Sequence, residues 1–116
     1  KVSTTLLAYS GAAPVTTAAS AVSPSSSATM TTPALSVGTS GSQVVSYWVD
    51  KTSGNTGWTL PASVTTRQSS VGSGSGRVSA AAGDTAVLAG SWPGATATST
   101  TAGSKAIGWS IPVPAP

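Results

Sequence analysis

The nine residues SQVVSYWVD at positions 42–50 decide the fold. Alternation puts Val44, Ser46 and Trp48 on one side of an extended chain and Val45, Tyr47 and Val49 on the other. β-Branched and aromatic side chains suit a pleated, partly buried surface. Apolar spacing at i, i+3, i+4 and i+7 is not sustained here or in any other window, so helix is a poor reading throughout. Bulk on both sides of 42–50 predicts a central strand.

Outward from this strand the same period of two recurs in shorter runs. Towards the N-terminus, 2–9 alternates Val2, Thr4, Leu6 and Ala8 against Ser3, Thr5, Leu7 and Tyr9, and 16–22, 28–32 and 34–37 follow as short strands. Pro33 between the last two suits an edge or a bend. Towards the C-terminus, the loop KTSGNTG at 51–57 leads to strands at 58–60 and 64–70. A Ser/Gly turn at 72–76 opens a strand at 77–82, Gly83-Asp84 reads as a turn before 85–89, and GSWPG at 90–94 as a loop. Strands at 95–101 and 105–113 follow, separated by a turn at 102–104. In the last of them Ile107, Trp109 and Ile111 oppose Ala106, Gly108 and Ser110, which predicts Trp109, with Trp48, in the core.

With the shortest runs set aside, about eight short strands define an all-β chain, an antiparallel β-sandwich of jelly-roll or immunoglobulin-like type. It occupies residues 1–113 as one domain, with 114–116 as a Pro-rich tail. An apolar strand beginning at Val2 leaves an open sheet edge, and the expectation is that an upstream segment or a second subunit completes the sheet.

Composition restricts function more than it reveals it. Charged residues make up 6% of the chain, against a typical ~25%, and Glu, His, Cys and Phe are absent. Five scattered cations make no basic stripe for nucleic acid. No apolar run reaches the ~18 residues of a membrane span. Without imidazole or thiol, nucleophilic triads lack their base, and Asp50 and Asp84 are the only carboxylates for paired-acid chemistry. Each sits at an expected turn, so no catalytic residue is assigned, nor any cofactor or metal. Asp50, Thr52 and Asn55 fall short of a calcium loop because no second carboxylate joins them. Gly72, Gly74 and Gly76 beside Arg77 could cradle an anion, but a lone Gly repeat is weak evidence and a Ser/Gly hairpin loop is the better reading.

The aromatic residues are the remaining candidates. Trp58 follows Gly57 and Trp92 lies in the 90–94 loop, so each could offer a flat apolar face to a sugar ring, with Asn55 and Arg67 supplying hydrogen bonds. The competing reading is that each tryptophan folds back to plug an end of a core poor in large apolar residues.

The segments 45–53 (VSYWVDKTS), 57–62 (GWTLPA) and 74–80 (GSGRVSA) resemble a repeat-like β-sandwich module found at the ends of large extracellular actinobacterial proteins, often beside PKD or fibronectin-type domains, and in some phage tail proteins. Segments 5–11 (TLLAYSG) and 106–111 (AIGWSI) fit the same pattern, and 14–37 fits it least. The excess of Ala, Gly, Ser, Thr, Val and Pro is similar to that of proteins from GC-rich genomes. The resemblance implies further strands before the position of Lys1 and brings no catalytic residues. With the composition, it implies a non-catalytic binding or adhesion module outside the cytosol, on a secreted protein, cell surface or virion, with a glycan or cell-envelope polymer as partner. The alternative is a structural subunit or domain of a phage virion or other extracellular assembly.

Overall fold

A computed structural model describes residues 1–103 and 105–116; Ser104, in the expected 102–104 turn, lies outside them. Ten strands follow one another: β1 (Ala19–Val22), β2 (Ser27–Thr31), β3 (Leu35–Val37), β4 (Ser42–Lys51), β5 (Trp58–Thr59), β6 (Thr65–Val71), β7 (Val78–Val87), β8 (Gly90–Trp92), β9 (Thr96–Gly103) and β10 (Ile107–Val113). There is no helix among the described residues, and hence none that could cross a membrane. Every strand pair is antiparallel, in a five-stranded sheet ordered β1-β10-β4-β7-β6, a three-stranded sheet β2-β9-β5 and a ribbon β3-β8.

The pairs β1·β10, β2·β9, β3·β8 and β4·β7 nest inside one another. A ribbon folded double and then rolled up gives this nesting, which is jelly-roll winding. β4 is central, as its two-sided bulk predicts, with β10 on one flank and β7 on the other.

The core lies between the layers, on the β4 face that carries Val44 and Trp48. Trp48 is fully buried, and its indole N–H donates to the Met30 carbonyl of β2 at 2.9 Å, which ties the sheets together. Its cross-strand neighbours are Gly108 on β10 and Ala81 on β7. A methyl group at Gly108 would come within 3.2 Å of Met30 Cε and 3.3 Å of Thr32 Cα, so glycine there admits the opposing layer. The inward positions of β10 and β7 are small because Trp48 and Met30 fill the space.

That crowding corrects the expected facing of β10. Ala106, Gly108 and Ser110 turn inward, while Ile107 and Trp109 face out, each 37% exposed. Two further corrections concern strand limits. Gly83-Asp84 is no turn: β7 runs through it, and the missing side chain at Gly83 lets β6 approach, since a Cβ there would lie 2.6 Å from the Thr65 carbonyl oxygen. The expected 90–94 loop contains β8, paired with β3, and turns at Gly94, whose φ of +88° and lack of room for a Cβ, which would collide with the Thr32 carbonyl oxygen, demand glycine. The 114–116 segment is held: the Pro114 carbonyl accepts from Ala13 N–H, and Ala115 N–H donates to Ser42 Oγ.

Candidate functional site

Alternate residues of the central strands that do not face the core form the outer face of the five-stranded sheet. Val45, Tyr47 and Val49 come from β4, and Ile107, Trp109 and Ile111 from β10, with Tyr47 directly opposite Trp109. An apolar sheet face of this size normally meets a second layer. Here its cover is residues 1–13, which run over it as an extended arm. Ser3, Thr5, Leu7 and Tyr9 are half-buried, and Val2, Thr4, Leu6 and Ala8 are exposed. The arm keeps the alternation that its sequence predicts but joins no ladder, so the expected strand at 2–9 becomes an overlay.

Side chains fasten it. The Lys1 ammonium donates to the carbonyls of Ser73 and Ser75, so the 72–76 loop presents oxygens to a cation. Ser3 and Ser70 hydroxyls meet at 3.2 Å. The strongest clasp is at Asp84 on β7. Arg67 gives it two hydrogen bonds, 2.7 Å from Nε and 3.0 Å from Nη2, and the Tyr9 hydroxyl donates to Oδ2 at 2.6 Å. Such charge-assisted, bidentate geometry is specific as well as strong.

The Arg67 hydrogen bonds hold the Asp84 carboxyl below its ordinary 3.8, with help from Tyr9 and against the cost of burial. Burial first, then the bond to Asp84, pushes the Tyr9 hydroxyl up to about 12 from 10.0. A depressed carboxyl stabilises the fold above pH 3.8 and loses that contribution as pH falls through its folded value. A raised phenol contributes below pH 10.0 and is lost as pH rises towards 12. The clasp therefore holds the arm from about pH 4 to 10. Tyrosinate absorbance should show one tyrosine ionising at about 12, and Asp84→Asn should lower that midpoint. An unmoved midpoint would mean that Tyr9 does not sit on Asp84 in solution.

Between arm and sheet lies a cleft of about 620 Å³, lined by Leu7, Tyr9, Tyr47, Trp109 and Ile111 among others. Trp109, expected in the core, thus faces this apolar cleft.

The four residues expected to bind a ligand are not brought together. Trp92 is 8% exposed and belongs to the core cluster. Trp58 packs against that cluster, half-buried, with its N–H donating to the Ser79 carbonyl at 3.2 Å. Asn55 is fully buried: its Nδ2 donates to Asp50 Oδ1 at 2.9 Å, and its Oδ1 accepts from Gly57 N–H, Thr100 N–H and the Thr100 hydroxyl. Three donors converging on Oδ1 fix the amide's orientation, and full burial keeps it away from the surface. Arg67 is exposed and engaged by Asp84. Both tryptophans follow the plug reading, because a core short of large apolar groups draws them in.

Asp50 and Asp84 lie on opposite faces of the sheet. Asp84 stands opposite Val45 on the outer face, whereas Asp50 shares the inward face of Val44 and Trp48. Two such carboxylates cannot flank one glycosidic bond. Burial raises the Asp50 carboxyl and the Asn55 bond partly opposes it; its Oδ2 has no hydrogen-bond partner. No three His, Cys, Asp or Glu gather among the described residues.

Sequence reasoning missed Tyr9, Tyr47 and Trp109 as site residues. The signal for Trp109 was its small opposite neighbours, Gly108 and Ser110, which mark the crowded side of β10. Fold and site together define an antiparallel β-sandwich with an apolar outer face strapped by an extended arm. No family model, curated protein or solved structure matches the chain.

Proposed function

We propose that this chain is a non-catalytic structural module that packs against other copies in an extracellular or virion assembly. One observation carries the reading: the outer face of the central strands is apolar, with the Tyr47–Trp109 pair at its centre, and the arm covers it only in part. Exposed apolar patches that are contiguous mark contact surfaces far more often than isolated apolar residues do. Few charges and many Ser and Thr side chains also suit close packing between like surfaces, since like charges do not repel there. The resemblance to modules of extracellular and phage tail proteins points the same way. Sedimentation equilibrium should reveal self-association that Trp109→Ser weakens by about tenfold or more, the range for losing an anchoring aromatic. A chain that stays at 11.1 kDa at every concentration would defeat the reading.

A second reading keeps the glycan partner but moves its platform. Trp109 is 37% exposed beside Tyr47 on a flat sheet face, so a sugar ring could stack there in place of Trp58 or Trp92. Retention on insoluble polysaccharide that disappears with Trp109→Ala would favour it.

A further inference from the structure

The fold gathers charges that the sequence scatters. Of the five cations, Arg67 is engaged by Asp84 in the one ion pair among the described residues. The other four come to one end of the five-stranded sheet. β4 ends at Lys51, opposite Val78, where β7 begins. The Thr52 N–H donates to the Arg77 carbonyl at 3.1 Å, which sets Arg77 beside the end of β4. Lys1 reaches the same corner, its ammonium on the Ser73 and Ser75 carbonyls. A Cβ at Gly76 would lie 3.3 Å from Lys51 Cε, and one at Gly74 would lie 3.1 Å from Lys1 Nζ, so the two lysines flank one loop. On the other side β10 begins at Ile107, opposite Val49; Lys105 precedes Ile107 by two residues, as Lys51 follows Val49 by two.

No acid answers them at the surface. Asp84 is held by Arg67 farther along β7, and Asp50, although next to Lys51, is 2% exposed and gives its Oδ1 to Asn55. Lys1, Lys51 and Lys105 are exposed, and Arg77 Nε has no hydrogen-bond partner among the described residues. Because Arg67 and Asp84 cancel, the whole net charge of +3 comes from four cations standing over one buried carboxylate at this end. We propose that this end of the sheet binds a flexible polyanion, a chain carrying repeated sulfate or phosphodiester groups. Clustered cations displace the counterions that such a polymer condenses, and that release drives binding. Lysines on strand ends and loops act as mobile point charges, which suits a partner without fixed geometry. A nucleic acid single strand fits less well. It needs exposed rings on which bases stack, whereas Trp58, the ring after the 51–57 loop, packs against the core. The proposal goes beyond self-association through the outer face and does not depend on it.

Calorimetric titration with dextran sulfate and with a glycerol-phosphate polymer tests this, neutral dextran serving as the blank. Wild type should bind both, with affinity falling about fiftyfold between about 50 and about 200 mM salt, the slope for four contacts. Binding of one polymer alone, with that salt dependence, supports the site and identifies its anionic group. Lys51→Gln should weaken binding about fivefold, and adding Lys105→Gln should weaken it about fivefold again. Both side chains are exposed, so the sandwich keeps its melting temperature, which circular dichroism checks. Leu88→Glu is the control. It lowers the net charge by the same amount as Lys51→Gln, at a 78% exposed position just past the other end of β7. That is roughly 30 Å away, several Debye lengths, so affinity should change less than about twofold. A loss from Leu88→Glu equal to that from Lys51→Gln would overturn the site, because total charge and not its position would then decide. Failure of both polymers to bind, or binding indifferent to salt, overturns it on the wild type alone. Tighter binding to a single-stranded oligonucleotide of equal charge would overturn the choice of partner.

Discussion

Trp48→Ala is expected to remove about 3–5 kcal/mol of stability, the range for deleting a buried aromatic. The upper end applies, because the site cannot collapse. Trp48 is fully buried, and the residues facing it across β10 and β7 are Gly108 and Ala81, which have nothing with which to fill the space. The substitution also leaves the Met30 carbonyl without the indole N–H that links the two sheets. Against a total of roughly 5–15 kcal/mol, such a loss leaves little margin. The thermal midpoint should fall by well over ~10 °C in a chain of this size. Trp109→Ala is the matched comparison, since its ring lies on the outer face and is 37% exposed. It should cost much less stability while weakening association. If Trp109→Ala proved the more destabilising of the two, the assignment of inner and outer faces would be wrong.

The comparison also shows why the fold class was legible and the site was not. Period-two alternation with Gly, Pro, Asn and Ser between the runs specifies strands wherever a segment packs on one side, and it located β4 and β10 closely. It does not say which side packs. In β10 the larger side chains, Ile107 and Trp109, looked like core, but the layer opposite had already committed Trp48 and Met30 to that space, leaving room only for Gly108 and Ser110. β7 was broken in two by reading Gly83-Asp84 as a turn. Glycine there serves close approach of β6, and the aspartate serves a long-range clasp with Arg67 and Tyr9, 17 and 75 residues away. Contacts at such separations leave no local trace. The same holds for Trp92: Ser-Trp-Pro-Gly reads as a loop tip, and only the pairing of β8 with β3 turns the ring into the core.

Asn55 illustrates the limit most sharply, and its replacement is the second large effect expected. Read from sequence, it is a polar loop residue available to a ligand; in the structure it is fully buried and joins three parts of the chain. Its amide nitrogen serves Asp50 at the end of β4, and its oxygen gathers Gly57 N–H ahead of β5 and both the N–H and hydroxyl of Thr100 on β9. Asn55→Ala leaves Asp50, 2% exposed and already with an unpartnered Oδ2, without a hydrogen bond to either oxygen. Leaving a buried polar group without its hydrogen-bond partner costs about 1–3 kcal/mol, and more when the group is charged. The loss should depend on pH in a defined direction. Burial raises the Asp50 carboxyl above 3.8 and the Asn55 bond opposes that rise, so the variant's carboxyl stands higher still. A group whose folded value is raised contributes stability below its unfolded value, and that stability is lost as pH rises through the folded one. The gap between variant and wild type should therefore narrow on going from neutral pH towards 3.8, where Asp50 is increasingly neutral. Adding Asp50→Asn should likewise recover part of the loss at neutral pH, because the uncompensated charge is gone. Denaturant melts of the two single variants and the double variant at pH 4 and 7 measure both effects. A gap independent of pH, with no recovery in the double variant, would show that Asn55 acts only as a loop anchor and that the Asp50 charge plays no part.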